Sequence, residues 1–151
     1  MRLWRISKHP GLTGAGGTFS SGRWHTMPKP VIYAAEHPAL AMVEVMAGMR
    51  IKPSQFPRSL RLIAIDVEGG STPCEPELPT GWQANEPMTQ CVGDAWIRHR
   101  TTLLMRVPSA VLPHAFNYLI NPHHADAGRC LAEVDTGPFW FDARFLSEES
   151  R

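Results

Sequence analysis

The apolar positions of this chain come in short runs broken by turn residues. Leu3-Trp4-Arg5-Ile6 reads as a first strand, and Val31-Ile32-Tyr33-Ala34, between Pro30 and Glu36, as a compact buried one. Residues 60–67 (LRLIAIDV) carry the strongest strand pattern, aliphatic and β-branched. Residues 103–107 (LLMRV) form another strand, stopped by Pro108, and 117–122 (NYLINP) are a turn-bounded apolar segment. Phe139-Trp140-Phe141 reads as the last strand, with Asp142 to Arg144 after it.

Helical spacing occurs in two places. After the second strand, Pro38 suits a first helical turn. Leu40, Val43 and Ala47 then recur at i, i+3 and i+7, and Gly48 can end the helix. Residues 89–99 (TQCVGDAWIRH) suggest a second helix, interrupted or begun near Gly93. Residues 9–22 are rich in Gly, Ser and Thr and read as a loop. Residues 68–87, rich in Pro and Gly, are too long for a plain connection and suggest an irregular or lid-like loop. Strands do not alternate regularly with helices, which argues for one α+β domain over 1–151 rather than a doubly wound sheet.

Composition narrows the class. The 151 residues suffice for a single core, and 43% apolar with 19% charged residues is ordinary for a soluble globular protein. A net charge of +1 supplies no basic stripe for direct nucleic-acid binding. No apolar run nears the ~20 residues of a membrane span. Cys74, Cys91 and Cys130 are odd in number and widely spaced, so they form neither a disulfide framework nor a zinc pattern. The N-terminal residues have no apolar signal core, and the expectation is a cytoplasmic, reduced protein.

The candidate chemistry concentrates between Ser21 and Glu44. Glu44 lies among Met42, Val43, Val45 and Met46, where a carboxylate is costly unless it has a partner or a job. Its bland alternative is a solvent-facing helix residue. Arg23 follows Ser20-Ser21-Gly22, small residues that let backbone approach a ligand, and its fork suits phosphate. From spacing alone a surface arginine is the better reading. Arg5 could supply a second phosphate contact or snorkel from a strand edge. Tyr33 could stack on a heterocycle or pack in the core. Ser109, after Pro108, either donates to a ligand or caps a turn, and VPSAV lacks the glycines of a nucleophile elbow. The spacing of His114, His123 and His124 matches no zinc pattern. Gly14-Ala15-Gly16-Gly17 is neither a P-loop nor a dinucleotide fingerprint. The tryptophans are read mostly as core.

Taken in order, LWRI (3–6), SGRWH (21–25), VIYAAEHPALAMVEV (31–45), LPTGW (78–82), TQCVGDAWI (89–97), LMRVPSAVLPHAFNYLINPHH (104–124) and PFWFDARFL (138–146) resemble the RES domain. This is the toxin half of bacterial RES–Xre type II toxin–antitoxin modules. The resemblance implies an α+β domain similar to ADP-ribosyltransferase toxins, with NAD+ bound as substrate in a central cleft and no metal. It places the family's arginine on Arg23, its tyrosine on Tyr33, its glutamate on Glu44 and its serine on Ser109. Arg5 and Asn117 complete the implied binding set. The chain departs from the usual G-G-R-W-N by having His25 where the family carries asparagine.

The implied activity is cleavage of the nicotinamide–ribose bond by hydrolysis or phosphorolysis, or transfer of ADP-ribose to a protein. Glu36, the nearest acid before Glu44, is poorly placed to act as a second acid. A non-catalytic nucleotide-binding module is the reading from another class. The implied partner is an Xre-like helix-turn-helix antitoxin. A homodimer is compatible with the sequence, which has no interface signature.

Overall fold

The computed structural model describes residues 1–69 and 72–146. Residues 70 and 71 of the expected 68–87 loop, and positions 147–151 of the expected domain, lie outside it. The chain forms one six-stranded antiparallel sheet with helices packed on it, in the order β4-β5-β2-β1-β3-β6. The strands are β1 (Arg2–Ser7), β2 (Ile32–Ala35), β3 (Arg61–Val67), β4 (Leu104–Pro108), β5 (Phe116–Ile120) and β6 (Leu131–Pro138). The helices are α1 (Gly16–Phe19), α2 (Pro38–Met49), α3 (Glu86–His99), α4 (Ala127–Cys130) and α5 (Ala143–Leu146). The α+β expectation holds.

Strand alternation distributes side chains to two faces. Leu3, Ile32, Ile63, Ile65, Leu104 and Ile120 share one core cluster, closed by Ala127 and Cys130 of α4. The alternate positions Met105, Val107 and Leu119 join Trp24, Trp82 and Trp96 in a second cluster under α3. A smaller one packs Leu40 and Ala41 of α2 on Trp4 and Ile6.

The sheet has one weak seam. β1 pairs with β3 from Arg2↔Asp66 to Ser7↔Arg61, and β2 with β5 from Ile32↔Ile120 to Ala35↔Asn117. Between β1 and β2 the register holds a single pair, Trp4↔Ala35. The sheet is therefore two well-paired blocks, β4-β5-β2 and β1-β3-β6, joined at one point.

Several expectations are corrected. The last strand is β6, over residues 131–138, and Phe139, Trp140 and Phe141 follow it outside any strand. LAEVDTGP has too many polar and turn-forming residues to read as a strand, and pairing with β3 overrides that propensity. The 9–22 loop contains the short helix α1. α2 runs through Gly48 and ends at Arg50, whose φ of 52° takes the left-handed position usually given to glycine. His37 caps its start by accepting from Ala39 N–H at 3.1 Å.

α3 begins earlier than residue 89, because Asn85 accepts from Met88 N–H at 3.2 Å. It is not interrupted at Gly93. A Cβ there would lie 1.6 Å from the Trp24 carbonyl oxygen, so this glycine permits a close helix–loop approach. The 68–87 stretch is irregular, as expected, but does not hang free as a lid. Cys74 pairs with the β4 edge by donating to Leu104 O at 3.1 Å and accepting from Arg106 N at 2.8 Å. Trp82 is buried beside Trp24. Trp140, by contrast, is 72% exposed, against the expectation that tryptophans are core.

Candidate functional site

A cleft of about 700 Å³ opens at the weak seam. Trp4, Arg5, Ile6 and Ser7 line it from β1, and Tyr33, Ala34 and Ala35 from β2. The 20–25 loop, the inner side of α2 and Asn117 complete the walls. A cleft where strands separate is a natural ligand site, since neighbouring backbone no longer fills it. Its volume lies in the range of ligand pockets of roughly 300–1,000 Å³.

One wall is acidic. Glu44 projects from α2 on the side shared with Ala41, Val45 and Gly48, all of which line the cleft. Its Oε1 accepts from Ser109 Oγ and from Asn117 Nδ2, each at 2.6 Å. Both bonds fall on one oxygen, Oε1. Ser109 is 7% exposed and sits behind the carboxylate rather than on the cleft surface. Its hydroxyl also accepts from Val111 N–H at 3.1 Å and Leu112 N–H at 3.0 Å. Ser109 thus caps the turn after β4 and commits its proton to Glu44. The solvent-facing alternative for Glu44 does not hold.

The opposite wall is a loop, residues 20–26, and α3 holds it. Thr89 Oγ1 donates to Arg23 O at 2.6 Å, and Gln90 Nε2 to Gly22 O at 2.9 Å. Asp94 accepts from Thr26 N–H at 2.9 Å and Thr26 Oγ1 at 2.6 Å, and pairs with Lys29 at 3.4 Å. Residues 89, 90, 93 and 94 fall on one helix face, which explains how a single helix grips a whole loop. Burial raises the Asp94 pKa. The hydrogen bonds from Thr26 and the Lys29 charge outweigh it, holding the carboxyl below its ordinary value.

Arg23 reaches the cleft from this loop, and its Nη1 donates to Gln83 O at 3.1 Å. The 68–87 stretch therefore steadies the arginine from behind. Tyr33 lines the cleft and packs against the second core cluster. Its hydroxyl accepts from Trp24 N–H at 3.1 Å and lies 2.7 Å from His25 Nδ1. Burial pushes the phenol well above its ordinary pKa, which keeps it a neutral donor.

Arg5 also lines the cleft, but its Nη2 donates to His9 O at 2.6 Å and Gly11 O at 2.7 Å. Burial lowers its pKa, and Glu133 acts in the other direction. Glu133 in turn accepts from Gly11 N–H at 2.9 Å. Arg5 Nε is buried without a partner among the described residues. Arg5 therefore ties down the 9–11 loop at the cleft wall. Glu36 accepts from Phe116 N–H at 3.0 Å and is a clamp between β2 and β5.

The structure thus brings Arg5, Arg23, Tyr33, Glu44 and Asn117 to one cleft, with Ser109 directly behind Glu44. Sequence reasoning missed the α3 anchors Thr89, Gln90 and Asp94. On their own they look like the polar face of any helix, and their partners lie more than sixty positions away. It also missed Glu86 and Arg50, which line the cleft. The arginine fork and the carboxylate suit a phosphate-bearing, polar ligand. At Gly22 a Cβ would lie 2.5 Å from Tyr33 Oη, so only glycine lets the loop close on the ring.

Comparison with known proteins gives the family of the chain. A protein called Toxin Res from Pseudomonas putida is 40% identical over 136 residues, covering 89% of this chain and 94% of that protein. A Prs ADP-ribosylating toxin from Sphingobium sp. is 32% identical over 139 residues, covering 83% and 84%. In fold, the chain is similar to the M. tuberculosis MbcT–MbcA toxin–antitoxin complex, with a TM-score of 0.73 at 20% identity over 96% of this chain and 86% of that one. The model of the RES domain matches residues 2–142, every site residue among them, and the chain belongs to the RES-domain family.

Proposed function

We propose that this protein is the toxin of a toxin–antitoxin pair and consumes NAD+ by breaking its nicotinamide–ribose bond. The observation that carries this reading is the Glu44 carboxylate, fixed through one oxygen by Ser109 and Asn117 and facing a cleft that also holds Arg23 and Tyr33.

In this reading Arg23 binds the pyrophosphate, with Arg5 shaping the same end of the cleft. The Tyr33 ring packs against nicotinamide. Glu44 Oε2 holds ribose hydroxyls, and its charge stabilises the cation developing at the anomeric carbon as nicotinamide leaves. Asn117 and Ser109 keep the carboxylate aimed. Nicotinamide departs as a neutral pyridine, so positioning and electrostatics suffice and no general acid is needed. Ser109 acts through Glu44 here rather than by touching the nucleotide.

A second acceptor chemistry has support from the relative named as ADP-ribosylating, whose name assigns it transfer to Prs. Water, phosphate and a protein side chain all attack the same carbon. An Xre-like antitoxin covering the cleft mouth is the partner that fits the reading.

The test is incubation of the purified protein with NAD+ and identification of products. Nicotinamide release by the wild type, lost in Glu44→Gln, supports the enzyme. Free ADP-ribose, ADP-ribose-1″-phosphate or a mass increase on a second protein then identifies the acceptor. Binding of NAD+ with no nicotinamide released would leave the non-catalytic module as the better description.

A further inference from the structure

Between the arginine loop and β2 lies a buried imidazole. His25 is 2% exposed, and its ring contacts three groups. Nε2 lies 3.0 Å from Gly17 O, Nδ1 lies 2.7 Å from Tyr33 Oη, and Gly22 N–H donates to Nδ1 at 3.3 Å. The proton assignment follows from the partners. A carbonyl only accepts, so Nε2 carries the hydrogen. Nδ1 is then a lone pair, and it shares the Gly22 N–H with the His25 carbonyl, which accepts that N–H at 3.1 Å. Among the described residues Nδ1 is the one acceptor within reach of the Tyr33 hydroxyl, whose oxygen accepts from Trp24 N–H, so the phenol proton goes to Nδ1. With the hydrogen on Nδ1 instead, the Tyr33 proton would lose its acceptor and a bare nitrogen would face Gly17 O.

We propose that His25 is a positioning residue of the cleft: as a neutral imidazole protonated on Nε2, it uses Nδ1 to hold the Tyr33 hydroxyl, and so fixes β2 against the Gly22–His25 turn of the loop that presents Arg23. α3 grips this loop from one side through Thr89, Gln90 and Asp94. His25 ties it to β2 and α1 on the other. The fit tolerates little movement, since Gly22 lies against the very phenol that His25 fixes. A consequence is that the Tyr33 proton is committed to His25, leaving the ring rather than the hydroxyl to meet a ligand.

The activity part of this inference rests on the proposed NAD+ reading; the proton arrangement does not. ¹⁵N NMR of the imidazole nitrogens should show one neutral histidine protonated on Nε2, with an Nδ1 signal that shifts in Tyr33→Phe. A hydrogen on Nδ1, or no response to Tyr33→Phe, overturns the proposal. Two substitutions then separate the two ring edges. In His25→Asn the amide oxygen occupies the Nδ1 position but cannot reach Gly17. In His25→Gln a donor reaches Gly17 and the Nδ1 acceptor is gone. The expected result is a KM for NAD+ within about twofold of wild type for Asn and raised about tenfold for Gln, with kcat little changed, since the buried Tyr33 hydroxyl left without its acceptor costs roughly one decade. Equal effects of both, the reverse order, or a fall in kcat alone would mean that His25 only fills space. If wild type neither binds nor turns over NAD+, the functional reading fails while the NMR result still decides the proton arrangement.

Discussion

The two walls of the cleft are built in opposite ways. The acidic wall stands on regular elements. Glu44 comes from the middle of α2, Asn117 from β5, and Ser109 from the residue after β4, and Ser109 and Asn117 both donate to Glu44. The basic wall is a loop without regular structure, and its polar groups bond mainly to distant elements: α3, β2 and the 68–87 stretch. A group that must meet developing charge benefits from rigid support. A loop can grip a ligand equally well only if other elements remove its freedom, and here a helix face and a buried histidine do so.

Breaking the support of the basic wall should have the largest effect. Gly93→Ala places a Cβ inside the Trp24 carbonyl, and backbone on both sides cannot yield. We expect a loss of about 3 kcal/mol or more, read by thermal or denaturant unfolding. Glu44→Gln should instead leave the melting curve in place and cut NAD+ turnover on the order of 100- to 1,000-fold. A Gly93→Ala protein as stable as wild type would show that α3 does not clamp the loop.

Asp94→Asn is a milder version of the first break, costing about 2 kcal/mol as charge-assisted bonds to Thr26 are weakened. It also has a pH signature. The folded Asp94 pKa is depressed, so its contribution is fully present above the unfolded value of about 3.9 and is lost as pH falls through the lower folded value. Acid unfolding of Asp94→Asn should lack that part of the slope, and a curve parallel to wild type would contradict the assignment.

On the acidic wall, Ser109→Ala should reduce turnover about tenfold while costing only about 1 kcal/mol, because Asn117 still holds Glu44. The smallest effect is expected from Gly48→Ala in α2. A Cβ there meets nothing within 4 Å, so the helix should gain about 0.5–1 kcal/mol. Two glycines inside helices, Gly48 and Gly93, would then give opposite signs in the same unfolding assay.

Much of this was legible in the chain. Ile32, Ile63, Ile65 and Leu104 announce buried strands by composition alone, and Pro38 announces the start of α2. β6 was not legible, because LAEVDTGP is a strand only by virtue of its partner β3. The first-strand arginine was readable as a candidate, but its bonds to His9 and Gly11 were not, since they depend on the path of a loop. Gly93 was noticed and misread: sequence shows a helix-weakening residue, and only packing shows what it makes room for.

By itself the sequence determined the α+β class, most of the strands and helices, and a set of candidate side chains that the fold brings to one cleft, because periodicity and residue type act locally. The tertiary structure decided the seam between β1 and β2, the single carboxylate oxygen that Ser109 and Asn117 share, and the grip of α3 on the arginine loop. Each of these joins residues dozens of positions apart, and a hydrogen bond or a close approach depends on distance in space, which no local pattern encodes.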